Sequence, residues 1–350
     1  MLKKRGYEDK FNERILNEVS KDGKVYAFPF GAYVFGMAYN TDLFEKAGLM
    51  EADGTPKEPK TWDEVVEWAT LIKEKTGKSG LQIATANKTG GWMFMPIAWS
   101  YGVNFMQKDE NDKWIATFNT EEAVKALQFV KDLKWKYNVL PENTFVDSAE
   151  YYKNFAIGNV GMMISPGDIA NNLVQYETDP EMVGSFGMPS GPKGHVTLLG
   201  GSVYCVPKTA TDDQIDAAIR WIETAYNYDT TDDYKTNTIN KFELLKENKA
   251  HIGIKPLSIW NKDTESFKFF NDTVDSYSNA NPNHVKLYNQ FVIDMPAEIR
   301  PEEPMCAQGL YTILDNCIQE VLTNENSDCA SLIKKANDDF QNDYLNNAQY

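Results

Sequence analysis

The chain has 350 residues, 42% of them hydrophobic and 25% charged, which is enough for a large core or two domains and enough charge for solubility. Its net charge of −16 and its four arginines (Arg5, Arg14, Arg220, Arg300) argue against a nucleic-acid partner and leave few bidentate clamps for anions, so neutral or cationic ligands fit better. No stretch approaches the roughly 18 apolar residues that a membrane-spanning helix needs.

In chain order, residues 9–19 suit a short helix, and GKVYAF (23–28) suits a strand that stops at Pro29. FGMAY (35–39) is a continuous apolar run and reads as a buried strand. Asn40 or Asp42 can cap the helix that follows, with Glu45 three residues past Asp42 and Gly48 at the exit. PKTWDEVVEWATLIKEKTGKSG holds the clearest helix signal. Thr61 is an N-cap with Glu64 three residues on, Val65, Trp68, Ala69 and Ile72 form the inner face, and Gly77 ends it. LQIATA (81–86) reads as a strand, and residues 92–101 as an apolar helix whose Trp99 is assigned, like Trp68, to the core. Asn119 with Glu122 opens another capped helix, in which Ala123, Leu127, Val130 and Leu133 recur at helical spacing. VGMMIS (160–165) is a strand, and VTLLGGSVYCVP (196–207) is a strand pair or one bent strand. Residues 212–226 and 307–322 are helical, the latter with the stripe Leu310, Leu314, Cys317 and Val321, while YNYDTTDDYKTNT (226–238) is a polar loop or an insertion bounded by helix. Strands alternate with capped helices throughout, so the fold class is α/β.

Signatures of catalysis and metal binding are missing: the chain has no GxSxG, no HExxH, no phosphate-binding loop and no GxGxxG. His195, His251 and His284 share no ligand spacing. Cys205, Cys306, Cys317 and Cys329 form no CxxC pair and read as small core hydrophobes. Tyr151-Tyr152 invites a ferric-ion reading, but AEYYKNFAIG around it is helix-like and holds no histidine or arginine partner. What remains is aromatic residues beside glycines at the starts of elements: Tyr33 in FGAYVFG, Trp92 after the glycine pair of NKTGGW, and Tyr204 after GGS. Flat rings of this kind either fill space under loops or stack on the apolar face of a sugar whose hydroxyls are bonded by polar neighbours.

Together, four blocks resemble the solute-binding proteins of ABC importers, the sugar- and maltose-binding-protein-like family. They are GKVYAFPFGAYVFGMAYNTDLFEKAGL, PKTWDEVVEWATLI, the pair FNTEEAVKALQFVKDL and NFAIGNVGMMISPGD, and GMPSGPKGHVTLLGGSVYCVPKTATDDQIDAAIRWI. RPEEPMCAQGLYTILDNCIQEVLTN also fits the closing helix of that family, so the resemblance covers essentially the whole chain. It implies a type II periplasmic-binding-protein fold, two lobes joined by a hinge, with 1–34 and 197–255 in the first lobe and 35–196 and 256–350 in the second. Relatives carry a signal peptide, often a lipid-attached cysteine, and further first-lobe residues ahead of this point. The first lobe is therefore expected to be incomplete, since MLKKRGYEDK shows neither signal peptide nor lipobox.

The implied function is binding of an oligosaccharide in the cleft between lobes, with no catalysis, no cofactor and no metal. The implied partners are a sugar and a membrane permease, for a monomer at the extracellular face of the membrane or in the periplasm. Carried over by position, the ligand contacts are Tyr33, Trp92, Asp168, Gly201, Ser202 and Tyr311. Asp168 stands in SPGD where relatives have a stacking tryptophan, so a hydrogen-bonding carboxylate replaces a ring there. Alternatives are a glycosidase-like enzyme, which needs two carboxylates about 5–10 Å apart across a cleft, or a binder of glycerol phosphate, polyamine or metal.

Overall fold

The computed structural model describes residues 5–7, 9–167, 169–226 and 231–348. In chain order they form α1 (Glu13–Glu18), β1 (Ser20–Lys21), β2 (Lys24–Val25), β3 (Phe28–Asn40), α2 (Thr41–Lys46), α3 (Trp62–Thr76), β4 (Ser79–Gln82) and α4 (Thr89–Ser100). Next come β5 (Met106–Lys108), β6 (Trp114–Ala116), α5 (Glu121–Trp135), α6 (Ser148–Ala156), β7 (Val160–Pro166), α7 (Ile169–Leu173), β8 (Val183–Phe186) and β9 (Val196–Tyr204). The chain continues through α8 (Asp212–Tyr226), α9 (Asp232–Glu247), α10 (Glu265–Tyr277), α11 (Pro282–Asp294), β10 (Glu298–Pro301), α12 (Ala307–Thr323) and α13 (Cys329–Asp339).

The organising element is β3, a single strand of 13 residues where the sequence suggests two. Pro29 does not end it. The register with β9 shifts between Pro29 and Gly31, so the missing proline N–H falls at an irregularity of the ladder. The first half of β3 pairs antiparallel with β9, from Phe28 opposite Tyr204 to Val34 opposite Leu199. Its second half pairs antiparallel with β7, and also with β8. β4 then joins β7 in parallel, and β10 joins β9 in parallel, giving the order β10-β9-β3-β7-β4. A helix-to-strand crossover returns each parallel strand, as α/β sheets require.

The main core is packed around the second half of β3. Val34, Phe35, Met37, Ala38 and Tyr39 are fully buried, with Met162, Met163 and Ile164 of β7 beside them. α3 covers this sheet as its sequence demands. Thr61 Oγ1 accepts from Glu64 N at 3.2 Å, Gly77 closes the helix at φ 71°, and Val65, Ala69 and Ile72 are buried. Complete burial of Val65 and Ile72 contributes about 1.5–3 kcal/mol each.

Trp68 differs from expectation: it is half-buried, and its Nε1 donates to Lys57 O at 2.9 Å, while Trp62 takes the core position. The cap of α5 is Thr120, whose Oγ1 accepts from Ala123 N, while the backbone N–H of Asn119 just ahead of it donates to Asn337 Oδ1. Cys317 and Cys329 are buried as expected, whereas Cys205 is exposed at the outer end of β9 and Cys306 is half-buried. Tyr151 belongs to the core, where its hydroxyl donates to Ile164 O at 2.9 Å.

Two small clusters lie apart from the main core. One joins Tyr7, Phe11, Ile222 and Trp260, with Phe28, Tyr204 and Phe267 packed against it. Phe11 stacks on Trp260 at 4.9 Å. Trp260 and Phe267, which follow the division expected at 255/256, join the cluster built by the N-terminal segment. The other cluster consists of Phe242, Ile252 and Val274 between α9 and α10.

Candidate functional site

Near the middle of β3 the strand changes partners from β9 to β7, and Tyr33 and Phe35 sit two residues apart on one face at that switch. Tyr33 pairs with Gly200 of β9, and its ring lies across the Gly200 backbone, in the space a Cβ would occupy. Only glycine leaves room there.

Trp92, in the first turn of α4, meets both rings edge-on. Its centroid is 4.7 Å from Phe35 at 78° and 6.5 Å from Tyr33 at 85°. Perpendicular arrangements of this kind match the ring quadrupoles and fix ring orientation. Tyr311, one turn into α12, completes the corner and is 1% exposed. It is packed into the main core rather than exposed on the surface of α12.

Polar atoms at this corner are incompletely satisfied. Trp92 Nε1 and Tyr311 Oη are both buried, and neither reaches a hydrogen-bond partner at normal geometry. An unsatisfied buried donor costs about 1–3 kcal/mol, so two in one place point to a function. The charged group facing both is Glu302, in the turn between β10 and α12. Burial raises its carboxyl pKa above the ordinary range, and the Tyr311 hydroxyl and Trp92 N–H pull it partly back. The Tyr311 phenol is in turn raised, first by burial and then by the Glu302 charge, with Glu303 and Tyr33 adding to it.

The neighbouring charges are already paired. Glu303 Oε1 accepts from Trp99 Nε1 at 3.1 Å, and Arg300 lies 4.7 Å over the Trp99 ring and 3.9 Å from Glu303. The corner thus offers four aromatic rings, two donors and one carboxylate, with the nearby Arg300 guanidinium engaged elsewhere. A group that both donates and accepts, such as an alcohol hydroxyl, would satisfy all three polar atoms.

Of the residues expected from the sequence, the structure brings Tyr33, Trp92 and Tyr311 together. Gly201 and Ser202 are exposed on β9, paired with Ala32 and Gly31, and the glycine under the Tyr33 ring is Gly200. Asp168 lies outside the described residues. Sequence reasoning missed Phe35, Gly200 and Glu302. The tandem acids of RPEEP, placed just before an apolar helix, were the available signal for the last.

A separate cavity of about 380 Å³ is lined by Phe30, Tyr234, Lys241, Trp260 and Phe270 among others, and none of the buried unpartnered atoms lines it.

The sequence profile of the bacterial extracellular solute-binding proteins matches residues 3–232. The chain belongs to this family. A binding protein of Brucella abortus (strain 2308) is 30% identical over 191 residues, which are 54% of this solute-binding protein and 43% of the relative. The arabinooligosaccharide-binding protein of Halalkalibacterium halodurans is 29% identical over 160 residues, 45% of this chain and 33% of that one. The matched stretch therefore spans less than half the length of either relative.

Among solved structures, maltose-bound MalE3 of Thermotoga maritima superposes with a TM-score of 0.66 at 21% identity, covering 97% of this chain and 78% of that one. The solute-binding protein thus has the type II periplasmic-binding-protein fold. Among its described residues no helix is long and apolar enough to cross a membrane.

Proposed function

We propose that the corner of Tyr33, Phe35, Trp92, Tyr311 and Glu302 binds a neutral oligosaccharide, and that the chain serves as the receptor subunit of an ABC importer without catalysis of its own. One observation carries this reading. Two buried donors, Trp92 Nε1 and Tyr311 Oη, converge on the Glu302 carboxyl among aromatic rings, and neither completes a hydrogen bond of normal geometry. Sugar hydroxyls can accept from the two donors and donate to Glu302, while a pyranose or furanose face packs on the rings.

The arabinooligosaccharide-binding relative supports the ligand class. A phosphate ligand fits less well, because Arg300 is held by Trp99 and Glu303. A glycosidase fits less well too, because Glu303, the carboxylate next to Glu302, is bonded to Trp99.

In this reading β3, β9 and β10 connect two lobes, 1–34 with 197–277 and 35–196 with 278–350, the later boundary falling past α10 rather than at 255/256 because Trp260 and Phe267 pack with the N-terminal segment. Ligand would bridge the lobes and close the hinge for a membrane permease outside the cytoplasm. Asp168 would accept from sugar hydroxyls, and Gly201 and Ser202 would offer backbone and hydroxyl at the return crossing.

Titration calorimetry of the full chain with arabinotriose, maltotriose and sn-glycerol 3-phosphate tests the proposal. Binding of a saccharide is expected, and Trp92→Ala should weaken it by about 1–3 kcal/mol, roughly 5- to 140-fold. Its melting temperature should change little, since Trp92 is only half-buried. Binding of sn-glycerol 3-phosphate alone, or a saccharide affinity untouched by Trp92→Ala, would refute it.

A further inference from the structure

Helix α4, which presents Trp92, has no cap of its own. Lys88 stands at its N-cap position in the left-handed region, φ 68°, and supplies no side-chain hydrogen bond. The cap comes instead from α12. Asp315 Oδ2 accepts from Lys88 N and Oδ1 from Gly91 N, each at 2.6 Å. These are charge-assisted bonds at the positive end of a helix, made by a carboxylate that is 5% exposed.

The approach is close. A Cβ on Gly91 would fall 2.5 Å from Tyr311 Cα, and one on Gly90 would fall 2.7 Å from Asp315 Oδ1. One turn further along α12, Gln319 Nε2 donates to Thr85 O at 2.5 Å, just ahead of the same helix start. Tyr311, Asp315 and Gln319 are four residues apart and therefore share one face of α12. That face places a ring in the corner, caps α4, and fastens the preceding loop.

We propose that Asp315 is a positioning residue for the ligand site: it touches no ligand, but it fixes Trp92 against Tyr311 by holding the amide next to Trp92 from the turn after Tyr311. The distance between the two orphaned donors is then set by two directional bonds rather than by side-chain packing alone. Burial raises the Asp315 carboxyl above its usual pKa and the amides of Gly91, Lys88 and Gly90 draw it back down, consistent with an ionised cap inside the protein. The effect on affinity rests on the carbohydrate reading above, whereas the effect on Trp92 geometry does not.

The test uses the full chain labelled with 5-fluorotryptophan. Its fluorine spectrum carries one signal per tryptophan, and Trp92→Phe identifies the one from Trp92. In Asp315→Asn, an amide replaces one acceptor with a donor that faces a backbone N–H. The Trp92 signal is expected to shift or broaden, while those of Trp221 and Trp260, in a different cluster, hold. In calorimetry with arabinotriose, Asp315→Asn should raise Kd about tenfold in the wild-type background and much less in Trp92→Phe, because the two sites are coupled.

Asp315→Ser, which retains a shorter acceptor, replaces Asp315→Asn if that variant does not fold. An unmoved Trp92 signal, or an equal loss of affinity in both backgrounds, overturns the proposal. If the Trp92 signal moves while the wild type binds no saccharide, the positioning role stands and the carbohydrate reading falls.

Discussion

On the proposed reading, one side chain, Glu302, ties saccharide affinity to pH. Its carboxyl is raised by burial and faces Tyr311 and Trp92, with Glu303 and Arg300 on the same turn. If the ionised form accepts from a sugar hydroxyl, saccharide affinity should climb as pH rises through that raised pKa and then level off. Glu302→Gln should remove the slope and hold affinity near the low-pH level, as pH-resolved calorimetry of both proteins would reveal. An identical slope in the variant would exclude Glu302 from the site. Stability runs the other way. A folded carboxyl that holds its proton more tightly than the unfolded chain loses stability as pH rises from the ordinary glutamate range through the raised value. The Gln variant should therefore bind more weakly at neutral pH without melting earlier. Of the residues that meet in this corner, Tyr33 and Trp92 stood out because a ring next to glycine is locally conspicuous, whereas Tyr311 was reached only through the family resemblance. Glu302 was reached by neither route. It is one of 51 acidic residues, and only the packing of α12 against α4 singles it out. The choice between Gly200 and Gly201 depended likewise on strand register, which a pair of adjacent glycines leaves open.

At the scale of the element, legibility followed how local the determining force is. α3 was readable at both ends because its cap and left-handed exit are set within the segment itself, while its inner face took Trp62 in place of Trp68. Thr61→Ala should accordingly cost about 1 kcal/mol of unfolding free energy. Urea denaturation measures that loss, and saccharide affinity should stay unchanged, because no residue of α3 lines the corner. A loss below about 0.3 kcal/mol would mean that solvent or the Ser190 carbonyl, which accepts from Trp62 N, already satisfies the helix start. α5 shows the limit of the same method. Asn119 and Thr120 are both competent caps, adjacent in sequence, and the helix starts from Thr120 while Asn337, over 200 residues away, accepts from the backbone of Asn119. β3 was harder still. Proline ordinarily ends a strand, and nothing in the neighbouring sequence shows that β9 will tolerate a register shift at Pro29. The continuity of β3 is a tertiary fact, and the site depends on it, because Tyr33 and Phe35 lie where its two halves meet.

Across the whole molecule, the two halves of β3 sit in unequal surroundings. Residues 35–40 are fully buried, each paired with β7 or β8 and 37–39 with both. Residues 28–34 pair with β9 alone among the described strands, and beyond Leu199 that partner is largely exposed, Val203 to 47%. Nearby Tyr26 and Trp221 are 61% and 57% exposed, so this end of the sheet draws on a small cluster rather than the main core. Local opening is governed by such differences in burial and pairing. Amides of 28–34 and 200–204 should therefore exchange with deuterium well ahead of those in 35–40 and 160–166, as peptide-resolved exchange followed by mass spectrometry would measure. Saturating saccharide should slow the first set more than the second, because a ligand seated on Tyr33 binds only the closed ribbon and its free energy adds to the cost of opening. Equal protection of both halves without ligand would mean that the ribbon belongs to the main cooperative unit. Ligand-induced slowing confined to 35–40 would place the saccharide away from the junction at Tyr33.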